Sequence, residues 1–463
     1  MSNTAAGDGV RLKRVLSLSD LVIYGIILIQ PVAALPLFGL ANRDSQGHAV
    51  TTILVAMFAM IFTAISYGRM ASRYPAAGSA YTYVGRGLNP YLGFIAGFTM
   101  FLDYMIIPIL CTVYTSIALN HMIPVVPTRI WYLVVAGAFT LLNLKGIKVA
   151  NRANWILMIV MSVVVFWFMA AAVRFIMLKD GMGGLFTIEP FYHKDTFSWP
   201  LIGRGTALAA LTYIGFDGLT TLSEEVENPK RNVLLATVLT CLITGIWSGS
   251  QVYLAQASVS WAEWPAFLQG MTAKFGAENA LEKAIIGIAN VVGGGFLEVS
   301  LAFILMVGSV GSGVTGMTGA ARVMFGMGRD NILPRRFFGH LSERNAVPAY
   351  NIILIGFLAL LGANVLSYDQ CAHLINYGAF LAFMLVNAAS IKECYFGGAE
   401  KNIKSVFINL VPPAIGIVAC FAIWRSLPGL TFLIGGIWTV IGIAYLVIRT
   451  RGFRKPLVMG DFF

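Results

Sequence analysis

The sequence predicts an all-α integral membrane protein with about twelve transmembrane helices, and three observations support this prediction. Of its 463 residues, 58% are hydrophobic and only 11% are charged, whereas a soluble domain has about 25% charged residues. The apolar residues form continuous runs of roughly 20, the length that crosses hydrocarbon as a helix, and this continuity excludes a β-barrel. The charged residues gather in the short connections between the runs.

Twelve apolar runs are long enough to be spans. The third and eighth are long enough to cross the bilayer at a tilt. Between the seventh and eighth, residues 261–283 mix aromatic and charged side chains, which predicts a short interfacial or extracellular helix. The predicted spans are residues 18–41, 50–70, 90–118, 129–147, 154–177, 202–223, 233–256, 290–325, 350–366, 371–391, 407–425 and 429–448.

The lysines and arginines predict the orientation of these spans. Most of the 32 basic residues fall in the tails and in alternate connections, and cytoplasmic connections carry such an excess. Both termini are therefore expected in the cytoplasm, with the protein integral to the plasma (inner) membrane. The net charge of +11 reports this orientation rather than a nucleic-acid partner. No signal-peptide cleavage pattern follows the polar start, so we expect the first span to be retained.

Two spans carry helix-breaking residues at mid-membrane. The sixth has the sequence GFDG at 215–218; glycine weakens a helix, and Asp217 is costly in hydrocarbon unless it is paired or solvated. The first contains Gln30-Pro31 and Pro36, and proline removes a helix hydrogen bond. Breaks five spans apart predict two inverted five-span repeats with a ligand site between the broken helices. There are two alternatives. The prolines of the first span are kinks that occur by chance, or the sixth span is a structural helix whose glycines allow close packing and whose aspartate pairs with a neighbour.

The repeat predicts the division of the chain. Residues 15–200 hold spans one to five, residues 201–400 hold spans six to ten, and residues 401–450 hold two further spans. Residues 1–14 and 451–463 are cytoplasmic tails.

The five cysteines and five histidines are dispersed, without disulfide or metal-ligand spacing. We therefore expect no enzyme, no metal site and no cofactor. A channel or sensor built on a transporter fold is a distant alternative, although no pore-loop pattern or signalling domain is evident.

Several residues near the predicted breaks have chemistry suited to an amine. Ammonium groups bind carbonyls, carboxylates or aromatic faces, and Tyr213, Phe216 and Asp217 supply such groups at one break. Phe216 is either a gate or a packing residue. Asp103 in span three is a proton acceptor, a substrate counter-charge or a structural partner of a tyrosine or an amide.

Acids and hydroxyls elsewhere have two interpretations each. Glu224 pairs with nearby basic residues or belongs to an inner gate, and Glu298 is functional or merely interfacial. Ser309 and Ser312 lie in a glycine-rich span that serves close packing. Their oxygens could also ligate Na⁺ together with span-one carbonyls, since hard cations prefer oxygen.

Longer stretches of the chain are distinctive in sequence and in order. They are SYGRMASRYPAAGSAYTYV at 66–84, GFIAGFTMFLDYMIIP at 93–108, YIGFDGLTTLSEEVENPKR at 213–231, GAARVMFGMGRDNILPRRF at 319–337 and AVPAYNI at 346–352. Together they resemble the motifs of the amino acid–polyamine–organocation (APC) superfamily of permeases, over about residues 15–455. Three features are most similar to the putrescine-importer branch of this superfamily. They are the LDY…P form, the pair Gln30-Pro31 and the sequence LINYGAF at 374–380.

The resemblance implies a LeuT-like fold with broken helices one and six, two additional C-terminal helices, and transport by alternating access driven by protons or by exchange. The unwound parts are then expected at residues 27–31 and 213–218. Candidate substrate-binding residues are Ile27, Leu28, Gln30, Tyr213, Gly215, Phe216, Asp217, Asn376 and Tyr377, and candidate coupling or gating residues are Asp103, Tyr104, Glu224, Ser309 and Ser312.

The chain departs from the family pattern in three places. The Gly-Ser/Thr-Gly turn that binds carboxylates in amino-acid members is replaced by Ile29-Gln30-Pro31, and Pro36 stands where similar putrescine importers carry an aspartate. Residues 155–165 lack the span-five lysine that takes the place of sodium in some relatives.

The sequence thus predicts a secondary transporter that imports putrescine-like amines, coupled to H⁺, with Na⁺ as a further possibility. A neutral amino-acid permease or an exchanger is the alternative.

Overall fold

The computed structural model describes residues 16–74, 79–145, 151–223, 225–277, 279–329, 333–342, 347–397 and 402–454, without the side chains of 121, 151–156 and 221. Over these ranges the chain is helical, and its one β-bridge joins Leu16 to Val226. The α-helices are α1 (Leu18–Ile29), α2 (Phe38–Asp44), α3 (Ala49–Arg73), α4 (Ser79–Gly87), α5 (Pro90–Met122), α6 (Thr128–Leu144), α7 (Asn151–Gly184), α8 (Trp199–Ala209), α9 (Pro229–Ser258), α10 (Trp264–Phe275), α11 (Ala284–Arg329), α12 (Arg335–Phe338), α13 (Ala349–Val365), α14 (Tyr368–Ser390), α15 (Ile403–Ser405), α16 (Val411–Arg425) and α17 (Gly429–Arg449).

Eight helical segments within the described ranges are long and apolar enough to cross a membrane, and they support an integral membrane protein. Most of the centrally placed α14 is buried inside the bundle, whereas most of α17 is not. The outer faces of the peripheral helices instead expose large apolar side chains such as Val163, Leu433 and Ile441, as a lipid-facing surface requires. The eight segments are Ala49–Arg73, Pro90–Asn120, Leu157–Gly184, Pro229–Ser258, Ala284–Arg329, Tyr368–Phe396, Ile403–Arg425 and Gly429–Arg449.

The first predicted span is divided into α1 and α2 by a non-helical turn. Ser17 caps α1 by accepting a hydrogen bond from the Asp20 amide. The helix ends at Ile29, and Gln30 has a φ of +70°. The residue before a proline is disfavoured in the α-helical region, so Pro31 sets the break at Gln30.

The sixth predicted span is broken by glycine. α8 ends at Ala209 and continues as a 3₁₀ turn at Ala210–Tyr213, after which Ile214 is extended. Gly215 has a φ of +120°, which L side chains rarely adopt and glycine adopts freely. A second 3₁₀ segment, Phe216–Leu222, follows.

The bundle has two sides, which we call the amino-terminal side, where α1 begins, and the far side. On the amino-terminal side, Arg73 pairs with Glu393 at 3.0 Å. On the far side, α10 packs through Trp264 against Phe38 of α2, so the predicted short helix is present and covers the end of the first broken helix.

Candidate functional site

The two breaks lie against each other. A Cβ placed on Gly215 would be 3.6 Å from Ile29 Cγ1. A cavity of about 300 Å³ lies between the breaks and helices α5, α11 and α14, at the lower end of the volumes typical of small-ligand sites. Its lining residues are Leu28, Ile29, Gln30, Val32, Ala33, Pro36, Asp103, Tyr104, Ile107, Leu110, Cys111, Tyr114, Leu211, Ile214, Gly215, Asp217, Gly218, Leu305, Ser309, Ser312, Thr315, Gly316, Tyr368 and Ile375.

Two carboxylates line this cavity, and their surroundings differ. Asp217 is 3% exposed, and the backbone amides of Gly215 and Gly218 face its carboxylate together with its own amide. Asp103 is 2% exposed, and its Oδ1 is buried without a hydrogen-bond partner. A buried acceptor without a donor is costly, so Asp103 is the cavity acid that lacks a protein partner at one oxygen.

Polar groups of α11 and the first break form a second part of the cavity wall. Gln30 Nε2 donates to Ser312 Oγ at 2.8 Å and to the Gly308 carbonyl at 3.0 Å. Ser309 Oγ donates to the Cys111 carbonyl at 3.2 Å. The α11 serines are therefore hydrogen-bonded to α1 and α5.

The cavity is closed on the far side. The rings of Tyr114 and Tyr368 meet there with centroids 5.3 Å apart, and both residues are buried. Beyond them, Arg43 of α2 pairs with Asp369 of α14 at 3.5 Å and with Asp44 at 2.7 Å.

The same far-side cluster brings together ligand atoms of Asp44, Asp369 and His373, all within 4.8 Å of one another. Arg43 pairs with both carboxylates, so a cation already occupies this cluster. The arrangement serves as an ion-paired contact between α2 and α14.

The cavity opens in the other direction. Leu28 and Thr315 line it and are exposed, and they also line a neighbouring cavity of about 260 Å³ between α1, α6, α7 and α11. Ile27 lies in this second cavity. The cavity is thus open at Leu28 and Thr315 and closed at Tyr114 and Tyr368.

Many of the predicted site residues come together at this cavity, although they lie on four separate stretches of sequence. They are Leu28, Gln30, Asp103, Tyr104, Gly215, Asp217, Ser309 and Ser312.

Four other predicted binding residues do not line this cavity. Tyr213 is fully buried, and its hydroxyl donates to the Ile53 carbonyl at 2.8 Å. Phe216 packs against Tyr67 and Phe383. Asn376 Nδ2 donates to the Ala207 carbonyl at 2.6 Å, tying α14 to α8.

The fourth is Tyr377, which faces away from the cavity. Its ring packs against Trp424 and Phe432, and its hydroxyl lies 3.3 Å from Thr439 Oγ1. It joins α14 to α16 and α17.

The first break also begins later than expected. Ile27 and Leu28 are still helical, and the break runs from Gln30 to Leu37, because a proline disfavours helical angles in the residue that precedes it, here Gln30. Glu224 lies outside the described residues. Glu298 is away from the cavity and pairs with Lys274 at 2.8 Å.

Several lining residues were not among those predicted, and the ones on α5 follow a simple pattern. Ile107, Leu110 and Tyr114 lie on one helical face with Asp103, because residues three or four apart on a helix share a face. Extending the face of Asp103 along α5 predicts them. Tyr368 has no such local signal, because its contact with Tyr114 is tertiary.

Arg43→Gln is expected to loosen the closed far side. The pair with Asp369 is partly exposed, so it contributes about 1 kcal/mol or less, and its loss should raise far-side access by up to about fivefold. Access is measured as the rate at which a membrane-impermeant maleimide, added on the far side, labels Cys111, which lines the cavity. The other four cysteines are replaced by alanine beforehand.

The matched control for this experiment is Lys179→Gln, because Lys179 forms a far-side ion pair with Glu263 that does not touch the cavity. Its labelling rate should equal that of the parent. An unchanged rate in Arg43→Gln would mean that the ion pair does not hold the far side closed.

The family profile and the similar proteins all indicate one family of permeases. The profile of the family described as amino acid permease matches residues 16–450. The low-affinity putrescine importer PlaP of Escherichia coli (strain K12) is 30% identical, covering 97% of this chain and 96% of the importer. The branched-chain amino acid permease BcaP of Bacillus subtilis (strain 168) is 26% identical over 97% of this chain and 96% of its own length. A methylthioribose transporter of the same organism is 24% identical with the same coverage of both chains.

Proposed function

Because the chain belongs to the amino acid permease family of the APC superfamily, we propose that it is a secondary active importer of small organic amines, with putrescine-like di- and polyamines as preferred substrates. The family makes it a membrane transporter of amino acids or amines and not an enzyme. The observation that carries the amine preference is the buried Asp103 carboxylate, whose Oδ1 has no partner and lies in the wall of the cavity.

The charge of the cavity supports a cationic substrate. Asp103 and Asp217 line it, and its described lining residues include no lysine, arginine or histidine. Two acids in one cavity suit a ligand with two ammonium groups, since each buried charge then gains an opposite charge. The aromatic rings of Tyr104 and Tyr114 add faces that attract cations.

A neutral amino acid is the second candidate, and the similarity to a branched-chain amino acid permease favours it. Such a substrate needs donors for its carboxylate. In the second break, the amides of Gly215, Asp217 and Gly218 already face the Asp217 side chain, and they would have to exchange that partner. This cost makes the amine the better fit.

The transport cycle that we propose is alternating access in a LeuT-like arrangement. Ten of the twelve spans form two inverted repeats, residues 15–200 and 201–400, and the other two lie within 401–450. The amino-terminal side, which carries most of the basic residues, is the cytoplasmic side, so the open cavity represents an inward-facing state. Closure of this cavity and separation of Tyr114 from Tyr368 would give the outward-facing state.

Coupling to protons fits the same residues. Proton-driven import requires the proton and the substrate to cross together, so the proton needs an acceptor of its own while the substrate is bound. With Asp103 and Asp217 both in the cavity wall, one acid can carry the proton while the other pairs with an ammonium group. Asp103 has the required position, because it lines the cavity and its Oδ1 has no protein donor.

The proposal is tested with purified protein by thermal-shift measurements against putrescine, longer polyamines and neutral amino acids, since ligands that bind the folded state raise its melting temperature. We expect stabilisation by diamines, and uptake into proteoliposomes that a protonophore abolishes. Stabilisation by zwitterions alone would replace the amine proposal with the amino-acid one. Equilibrating flux that ignores the protonophore would indicate a channel or an exchanger.

A further inference from the structure

The second cavity, of about 260 Å³, differs in chemistry from the first, which holds Asp103 and Asp217. The two cavities share three polar side chains, Gln30, Ser312 and Thr315. The other described residues that line the second cavity are aliphatic residues, methionines, a proline and a glycine, and none of them is charged. Such a surface suits a hydrocarbon group, because moving apolar atoms out of water onto it lowers the free energy.

The two cavities lie on different faces of α11. Residues three or four apart on a helix share a face, and two such sets alternate along this helix. Ser309, Ser312 and Gly316 line the first cavity, and Val307, Val310 and Val314 line the second. Ser312 lies where the two faces meet, and Gln30 Nε2 donates to its hydroxyl at 2.8 Å. This hydrogen bond therefore lies in the wall between the two cavities.

The cavities also open beside each other. Leu28 and Thr315 line both of them and are exposed, so a ligand in the first cavity reaches the second without crossing the wall. When Asp103 and Asp217 hold the two ammonium groups of a diamine, a substituent on one nitrogen extends past Leu28 and Thr315 into apolar surroundings. The second cavity is therefore placed to bind a group attached to the diamine rather than the diamine itself.

The lining determines the chemistry of that group. An alkyl chain gains about fourfold in affinity for each methylene group that it buries. A third ammonium group would give up its hydration without meeting an acid among the described lining residues, which is unfavourable. Met158 and Met161 allow the cavity to fit chains of different shape, because methionine side chains are flexible and polarizable.

We propose that the second cavity is an alkyl subsite, which binds an uncharged chain on one nitrogen of the substrate and discriminates against a third ammonium group. The proposal rests on the proposed function, because the two acids of the first cavity must hold the diamine. It narrows the substrate class from di- and polyamines in general to short diamines and their N-alkyl derivatives.

The proposal is tested on the wild-type protein with putrescine, N-butylputrescine and spermidine, each titrated by calorimetry. N-butylputrescine and spermidine have the same chain length and differ only at one end, where a methyl group replaces an ammonium group. We expect N-butylputrescine to bind at least about tenfold more tightly than putrescine, and more tightly than spermidine by at least the same factor. Binding of spermidine as tight as that of N-butylputrescine would overturn the proposal.

A variant that fills the second cavity gives an independent measurement. Gly311 lines the second cavity and not the first, and a Cβ there would lie 3.8 Å from Gln30 Nε2, so Gly311→Leu places its side chain in the space of the alkyl chain. Putrescine and N-butylputrescine should then bind with equal affinity. Gly137→Leu, on α6 where a Cβ would meet nothing within 4 Å, is the control and should keep the tenfold preference.

The possible outcomes separate the subsite from the proposed function. Putrescine binding that alkylation does not strengthen, or an alkyl preference that survives in Gly311→Leu, would overturn the alkyl subsite and leave the proposed function intact. Absence of binding by putrescine and by both of its derivatives would instead contradict the proposed function, and the alkyl subsite with it.

Discussion

Asp103→Asn should weaken amine binding about 100-fold in a protein that still folds. The variant replaces a buried carboxylate, whose Oδ1 lacks a donor in the protein, with a neutral amide of nearly the same shape. Losing a charged partner for an ammonium group costs about 3 kcal/mol, which corresponds to roughly a 100-fold weaker affinity. Because the wild-type carboxylate is itself costly to bury, the melting temperature without ligand should stay the same or rise.

The measurement is a titration of putrescine by calorimetry or thermal shift, followed by initial uptake rates in proteoliposomes. Glu298→Gln is the matched control, because Glu298 is another buried acid of a membrane helix but pairs with Lys274 away from the cavity. It should bind putrescine like the wild type. Wild-type affinity in Asp103→Asn would return Asp103 to a structural role and leave Asp217 as the candidate counter-charge.

Asp103→Asn also tests whether Asp103 couples proton movement to uptake. If Asp103 carries the proton that drives uptake, any residual transport by Asp103→Asn should no longer respond to a pH gradient. Residual transport with the wild-type dependence on the gradient would place the proton on another group.

The existence of the two breaks was predictable because local chemistry dictates it, although the first break begins three residues later than expected. Gln30 precedes a proline, and Gly215 and Gly218 lie in one predicted span, so the backbone preferences of single residues are enough to predict an interruption. Asp103 and its helical face could likewise be recognised, because a carboxylate within an apolar span is costly and therefore indicates a functional site.

The sequence does not indicate which face of a helix meets the cavity. Phe216, Asn376 and Tyr377 lie within two residues of cavity residues in the sequence, yet each is buried in protein away from the cavity. α14 is packed on nearly all sides, so its sequence has no polar face that distinguishes the cavity from a neighbouring helix. Only tertiary packing, such as the contact of Tyr377 with Trp424, decides the direction of the side chain.

The two breaks are also maintained by different means. At the first, a proline ends the helix, a side chain of α9 donates to the freed Pro31 carbonyl, and the Gln30 side chain donates to the Gly308 carbonyl of α11. At the second, the backbone conformation of a single glycine turns the chain, and the adjacent carboxylate faces the amides. The second break should therefore be far more sensitive to substitution of one residue.

Gly215→Ala is accordingly expected to lower uptake by at least about tenfold. The new Cβ has room, since its nearest neighbour would be Ile29 Cγ1 at 3.6 Å, so the effect comes from the backbone. A φ of +120° costs an alanine about 1–3 kcal/mol, and the chain relieves that strain by moving toward helical angles. Such a movement displaces the amides that face Asp217 and changes the shape of the cavity.

Gly218→Ala is the matched control, three residues away on the same segment. Its Cβ would meet only Leu28 Cδ1, at 3.1 Å, and the end of a leucine side chain can shift at little cost. Initial uptake rates, normalised to the amount of folded protein, should therefore stay within about threefold of wild type for Gly218→Ala and fall for Gly215→Ala. Equal rates for the two variants would show that the left-handed turn at Gly215 is not needed for transport, and the cavity would then owe its shape to the first break.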